Sequence, residues 1–259
     1  MLDLSGISLS FGGVQAISDL DLGLGEGVIG AVIGANGAGK TSILNVISGF
    51  YRPQAGSAWC RGVDLLARQA HEIVGLGISR SFQNVALFNE LSVFDNLLLG
   101  ADHLRRNGLL ANMLRLPKAR RHERDARTRA ARVLEFLGIE QLRDRRAGEL
   151  AFGDRKLVDM GRALVGDPRL VLLDEPAAGM PEARRGPLAD LIRRIRAEWG
   201  ASVLLIDHDM ELVLGVAEHV VAIDFGVKIA EGTPAEIRTD RRVIEAYLGE
   251  DHTATEPTN

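Results

Sequence analysis

The chain has 259 residues, 46% of them hydrophobic, which suits one large domain or two small ones with a full core. Its formal net charge of −4 argues against a general nucleic-acid binder. A single cysteine, Cys60, excludes an intramolecular disulfide and fits a reducing compartment.

Leu2, Leu4, Ile7 and Leu9 predict a first strand, and the alternating Leu20, Leu22 and Leu24 a second. No basic stretch followed by an apolar one opens the chain, so no signal peptide is expected. Val28 to Ile33 is a short run of Val, Ile, Gly and Ala that reads as a buried strand, and Thr41 to Ser48 reads as the start of a helix. Between them stands Gly34-Ala35-Asn36-Gly37-Ala38-Gly39-Lys40-Thr41, a complete G-x-x-x-x-G-K-[ST] loop. A strand, a Gly-rich turn and a helix N-terminus point several backbone N–H groups at one spot, where the helix dipole adds partial positive charge. A triphosphate suits that spot: Lys40 reaches the β- and γ-phosphates and the Thr41 hydroxyl binds Mg²⁺.

Arg52 to Gly56 is a turn, Ser57 to Cys60 a short strand, and Ile78 to Phe82 a strand leading into Gln83. From about Asn84 to Gly161 the pattern is helical. Leu91 to Leu98 starts one helix with Ser92 as its N-cap, and Lys118 to Leu137 is a longer one. Between Arg115 and Arg132 lie seven Arg and one Lys. A patch for anionic lipid or nucleic acid is one reading; the interleaved Glu123, Asp125 and alanines favour a solvated helix face. After Asp167-Pro168, strand and helix alternate again. Leu170 to Leu173, Val203 to Ile206 and Val220 to Ile223 read as buried strands, so a helical insert interrupts a parallel α/β sheet. No run approaches about 18 apolar residues, so no membrane span is expected. Glu250 to Asn259 is polar and expected to fray.

The strand from Leu170 ends in Asp174-Glu175-Pro176. Sites of parallel α/β sheets lie at the carboxyl ends of strands. Asp174 is the candidate to hold Mg²⁺ through water, and Glu175 the candidate general base for an attacking water.

On these motifs, residues 2 to 250 resemble the ATP-binding subunit of an ABC transporter. The resemblance implies an α/β fold of the P-loop NTPase type, with a parallel-sheet core, an antiparallel β subdomain and an inserted helical subdomain. Residues 1–83 and 162–250 would form the core, 84–161 the helical subdomain and 251–259 a flexible tail. Leu150-Ala151-Phe152-Gly153-Asp154 stands where the family carries its signature, L-S-G-G-Q; only Leu150 and Gly153 match. Ala151 replaces the serine that touches the γ-phosphate of the opposite subunit's ATP, and Asp154 the glutamine, with Arg155 and Lys156 placed to offset the acid.

The resemblance further implies that Phe11, Gly34, Asn36, Gly37, Ala38, Gly39, Lys40, Thr41 and Ser42 bind ATP, and that Gly153 does so across a dimer. Thr41, Gln83 and Asp174 would hold Mg²⁺; Glu175, His208 and Gln83 would be catalytic. Phe11 is otherwise simply a residue closing a strand. The D-loop, Ala177 to Met180, has Pro181 where the family commonly has Asp.

Phe11-Gly12-Gly13, Ser79 to Gln83, the basic stretch after Asn107, the signature ending Phe152-Gly153-Asp154, the segment Asp174 to Gly179 and the ending Ala246 to Gly249 resemble ATPases of branched-chain (hydrophobic) amino-acid importers. Relatives that move urea, amides or aromatic acids share much of this. Other readings are the ATPase of a lipopolysaccharide exporter and a soluble ABC ATPase acting on nucleic acid. A GTPase is disfavoured, since the chain has no N-K-x-D motif. The importer reading implies membrane permease subunits, a second ATPase subunit (identical or not), an indirect link to a substrate-binding protein, no nucleic acid, and a peripheral place on the cytoplasmic face of the cell membrane. Val85, Leu87, Phe88 and Leu91 would meet the permease, unless they pack between lobes.

Overall fold

A computed structural model describes residues 1–81, 86–101 and 117–253, without the side chains of 117–119 and 248–253. Gln83 and Val85 therefore lie outside the described residues, as do residues 254–259.

Two sheets clasp one helix. β1 (Leu2–Phe11), β2 (Val14–Leu24), β4 (Ala55–Cys60) and β5 (Val63–Asp64) make an antiparallel sheet in the order β2-β1-β4-β5. The spacing from Leu4 to Ile7 breaks strict alternation, and the β1–β2 register shifts there. Gly6 takes φ 60° at this bulge, which keeps Leu4 and Ile7 both buried. The second sheet has the order β10-β9-β3-β8-β7-β6. Its strands are β3 (Ile29–Ile33), β6 (Ile78–Ser81), β7 (Leu170–Asp174), β8 (Ser202–Ile206), β9 (His219–Asp224) and β10 (Val227–Gly232). Only β10 runs antiparallel.

Period-two geometry divides each central strand between two cores. Leu170 and Leu172 of β7 face α1 (Lys40–Ile47) and the antiparallel sheet. Val171 and Leu173 face the helices on the other side. These helices are α3 (Val93–Leu99), α4 (Pro117–Leu137), α5 (Phe152–Leu164), α6 (Arg185–Trp199), α7 (Met210–Val216), α8 (Pro234–Thr239) and α9 (Arg241–Thr253). A short α2 (Ala70–Gly75) precedes β6. β3, β7 and β8 are buried at every residue, so their apolar runs carry no alternation to read. Parallel pairing places the ends of β7 and β8 together, Asp174 opposite Ile206.

Among the described residues, α3 and α4 stand where the sequence pattern predicts helices. Ser92 caps α3 by accepting from the Asp95 N–H at 3.0 Å. α4 buries Ala126, Ala130, Val133 and Leu134 and turns Arg120, Arg121, Arg124 and Arg127 to solvent. Arg127 pairs with Glu123 on the same face, so the described part of the basic stretch is a solvated helix face.

The insert is joined to α5 at Gly100, where a Cβ would lie 2.1 Å from the Arg162 carbonyl oxygen. The neighbour is backbone and cannot turn aside. Gly100→Ala should destabilise the fold by about 1–3 kcal/mol, a fall in melting temperature of at least about 2 °C. A thermal melt unchanged by this substitution would show that α3 and α5 do not meet so closely.

Candidate functional site

The loop from Gly34 to Lys40 joins β3 to α1 and is held from three sides. Gly39 takes φ 100° and a Cβ there would lie 2.3 Å from the Ala16 carbonyl oxygen. At Gly34 it would lie 2.2 Å from the Ile223 carbonyl oxygen. Behind the loop, the Gly226 N–H donates to the Ala38 carbonyl at 3.0 Å. Neither Gly34 nor Gly39 leaves room for a side chain, and Gly37 supplies a further positive φ of 79°. Asn36, Gly37 and Thr41 are exposed, and Ser42 is half-buried at the first turn of α1.

Lys40 is 5% exposed, and its Nζ donates to the carbonyls of Gly34 and Ala35, both at 2.6 Å. The ammonium thus folds back over the loop, into the space that the backbone amides enclose. That is where an anion would compete for it. Phe11 ends β1 half-exposed, its ring edge-on to Tyr51 with centroids 4.9 Å apart. The same hairpin carries Ala16, which abuts Gly39, so the aromatic pair flanks the loop region.

Asp174 ends β7, 2% exposed. Arg80 from β6 donates to its Oδ2 at 2.7 Å, and through its other terminal nitrogen to Asn45 Oδ1 of α1 at 2.7 Å. One guanidinium therefore ties β6, β7 and the loop helix together. Asp174 Oδ1 is buried without a hydrogen-bond partner among the described residues, in a protein interior where such a loss costs about 1–3 kcal/mol. A buried carboxylate oxygen left open beside the phosphate loop fits a divalent cation. Among the described residues no three His, Cys, Asp or Glu side chains converge to hold a metal by themselves. The remaining oxygens would come from Thr41, a phosphate and water.

Glu175 has φ 47°, a strained value for a residue with a Cβ. Hydrogen bonds to its backbone hold it there, among them one from the Ala178 N–H to its carbonyl at 3.2 Å. Its N–H donates to the Ile206 carbonyl at 2.7 Å, and its own carbonyl accepts from Lys156 Nζ at 2.7 Å. His208 follows β8 and is exposed, with Nδ1 3.6 Å from Asp207 Oδ1. Asp207, fully buried, accepts from the N–H groups of Ala177 and Asp209 and so fixes both flanks of the β7–β8 ends.

The structure brings the loop, Asp174, Glu175 and His208 to one end of the parallel sheet. Gly153 is not among them. It sits in the first turn of α5, and a Cβ there would find, within 4 Å among the described residues, the Arg184 guanidinium alone.

Two features were not legible in the chain. Arg80 gave no signal of its own as the partner of Asp174. Lys156, expected to offset Asp154, turns inward instead; Arg184 takes the acid at 3.0 Å. Lys156 is 4% exposed and also donates to the Pro176 carbonyl at 3.2 Å. Burial pulls its pKa below the ordinary lysine value, against the upward pull of Asp207, Glu175, Asp159 and Asp174. The pattern of charged residues along α5 does not say which of them points into the core.

Loop, buried carboxylate and strained glutamate define a nucleotide-binding ATPase. The comparisons specify which kind. A family model described as ABC transporter matches residues 17–178, and one described as branched-chain amino acid ATP-binding cassette transporter matches residues 227–253. The high-affinity branched-chain amino acid transport ATP-binding protein BraF of Pseudomonas aeruginosa is 39% identical over 96% of this chain and 98% of its own length. LivG of Escherichia coli, described likewise, is 38% identical over the same shares. The solved ADP conformation of MJ1267, an ATP-binding cassette of an ABC transporter, superposes with a TM-score of 0.83 at 31% identity, covering 96% of this chain and 98% of that one. The chain belongs to the ATP-binding subunits of ABC transporters, and its activity is ATP hydrolysis. No described helix is long and apolar enough to cross a membrane.

Lys156 links the signature helix to the backbone of Glu175. Lys156→Met should leave nucleotide affinity within about 3-fold and lower kcat by roughly 10–100-fold, the scale of a misplaced catalytic group. The lowered lysine pKa adds a sign. Between it and 10.5, the ordinary value, the unfolded chain binds more protons than the folded one. Stability therefore rises with pH in that window. The stability of the wild type relative to Lys156→Met should grow as pH rises toward 10.5. Urea melts across pH check this, and a difference that shrinks would refute the buried placement.

Proposed function

We propose that this chain energises the import of branched-chain amino acids by hydrolysing ATP at the site above. The observation that carries the substrate is the near full-length likeness to BraF and LivG, reinforced by the match of the C-terminal model. The division into a core of residues 1–83 and 162–250, a helical subdomain of 84–161 and a tail of 251–259 belongs to the same proposal.

In this reading the loop amides and Lys40 bind the phosphates, and Phe11 stacks on the base. Thr41, Asp174 and Gln83 hold Mg²⁺, which when bound neutralises phosphate charge. Arg80 fixes one oxygen of Asp174 and leaves the other for the cation. Glu175 takes the proton of the attacking water at its carboxylate, and His208 meets the γ-phosphate. Gly153, in the first turn of α5, completes the site of a second ATPase subunit.

The partner surface is a cavity of about 470 Å³ between the core and the insert, lined by apolar Phe50, Val74 and Leu99 and by His71, Arg80 and Arg162. It suits a short helix from a membrane permease, which would place the chain on the cytoplasmic face of the membrane and link it to a substrate-binding protein. Phe88 supports this. Its ring is 59% exposed while Asn96 pins its backbone in both directions, so it does not pack between lobes. Leu87, by contrast, is buried.

The roles of the site residues separate by variant. Lys40→Ala should weaken nucleotide binding and turnover together. Glu175→Gln should bind ATP and stall, with kcat down at least about 10²-fold. Gly153→Trp should fold, bind nucleotide and fail to hydrolyse. Normal turnover by Glu175→Gln in a preparation free of other ATPases sinks the assignment.

Transport is tested in cells. Removing the chain should abolish uptake of leucine, isoleucine and valine where no second transporter serves them. Phe88→Asp should not restore it, though the purified variant stays folded and binds ATP. Unchanged uptake without the chain would remove the amino-acid reading and leave the ATPase standing.

A further inference from the structure

The C-terminal helix reaches the nucleotide site. Tyr247 stands on α9, and its Oη accepts from the Gly34 N–H at 3.0 Å, across 213 residues of sequence. Gly34 opens the phosphate loop, where the chain leaves β3. On its other side the Ile223 carbonyl oxygen leaves no room even for a Cβ. The entry of the loop is thus gripped between β9 and one hydroxyl of α9. The Gly34 N–H cannot pair within β3, which ends at Ile33, so the hydroxyl is what satisfies it.

The ring of Tyr247 has different company. It lines an apolar cavity of about 620 Å³ together with Met210, Leu214, Ile237, Val243 and Ile244. Those side chains come from α7, α8 and α9. α7 begins two residues after His208, capped by Asp209, which accepts from the Leu212 N–H at 3.1 Å. One tyrosine therefore has its ring against the helix that follows His208 and its oxygen on the phosphate loop. A phenylalanine would pack the same wall and lose the bond to Gly34.

We propose that Tyr247 is a positioning residue for nucleotide binding, and that α9 is a clamp on the phosphate loop whose seating is linked to occupancy of the site. The inference rests on that loop being the nucleotide site. Linkage is reciprocal: if seating α9 tightens nucleotide binding, nucleotide must tighten α9 by the same factor.

The test uses the full chain, Mg²⁺ and a fluorescent ATP analogue, with Lys40→Ala as the control for the site itself. Tyr247→Phe should bind the analogue about tenfold more weakly, the size of one lost hydrogen bond to a buried amide, and melt within about 2 °C of the wild type. KM should rise while kcat stays within about twofold. In the wild type, nucleotide should slow amide exchange along α9, and in Tyr247→Phe it should not. If Tyr247→Phe binds like the wild type and only Tyr247→Ala is impaired, the side chain merely packs and the proposal fails. It fails equally if nucleotide leaves exchange along α9 unchanged in the wild type, a measurement that needs no folded variant. If the wild type binds no analogue, or Lys40→Ala binds it as well as the wild type, the site reading has failed instead.

Discussion

The closest constraint in this protein is the absence of two methyl groups. Carbonyl oxygens from β2 and β9 come within 2.3 and 2.2 Å of where a Cβ would stand on Gly39 and Gly34. Those contacts draw the antiparallel sheet, the parallel sheet and the phosphate loop into one rigid piece. A loop that must present amide groups to a highly charged ligand cannot relax at the moment of binding without weakening it. Support on both sides removes that freedom in advance. Lys40, folded onto two carbonyls of the same loop, adds positive charge at the place where phosphate would bind.

Around this piece the protein buries charge at a cost in stability. Arg80 with Asp174, Lys156 against two carbonyls, and the fully buried Asp207 are each expensive to remove from water. Apolar residues of the same volume would pack as well or better. What the charges provide is direction. Arg80 dictates which oxygen of Asp174 is open, Asp207 anchors the backbone of Ala177, and Lys156 holds a glutamate in a conformation it would not choose. All three come from outside the strand they serve, so the site is only as well placed as the packing of β6, β8 and α5 on β7.

The same dependence joins the helical insert to the chemistry. α5 begins at the signature, sends Lys156 to Glu175 and meets α3 so closely that Gly100 has no room for a side chain. Arg162 of the same helix donates to the Ala86 carbonyl at 2.6 Å. The insert is therefore tied by a hydrogen bond to the backbone of Glu175. Arg80 lines the cavity between insert and core while its guanidinium rests on Asp174, so that cavity has a wall in common with the carboxylate that ends β7.

The phosphate loop, the two carboxylates ending β7 and the capped α3 were readable directly, because each is a short-range pattern whose chemistry lies in adjacent residues. The order of the strands was not, nor the meeting of Asp174 with Arg80. That pair is 94 residues apart, and no local periodicity encodes it or the strand order. Lys156 shows the limit most sharply. On the chain it is one of several charges near an acid; only the packing of α5 turns it inward, where loss of water lowers its pKa and a backbone carbonyl becomes its partner. Side-chain identity sets what chemistry is available, and tertiary packing selects which of the available groups face one another.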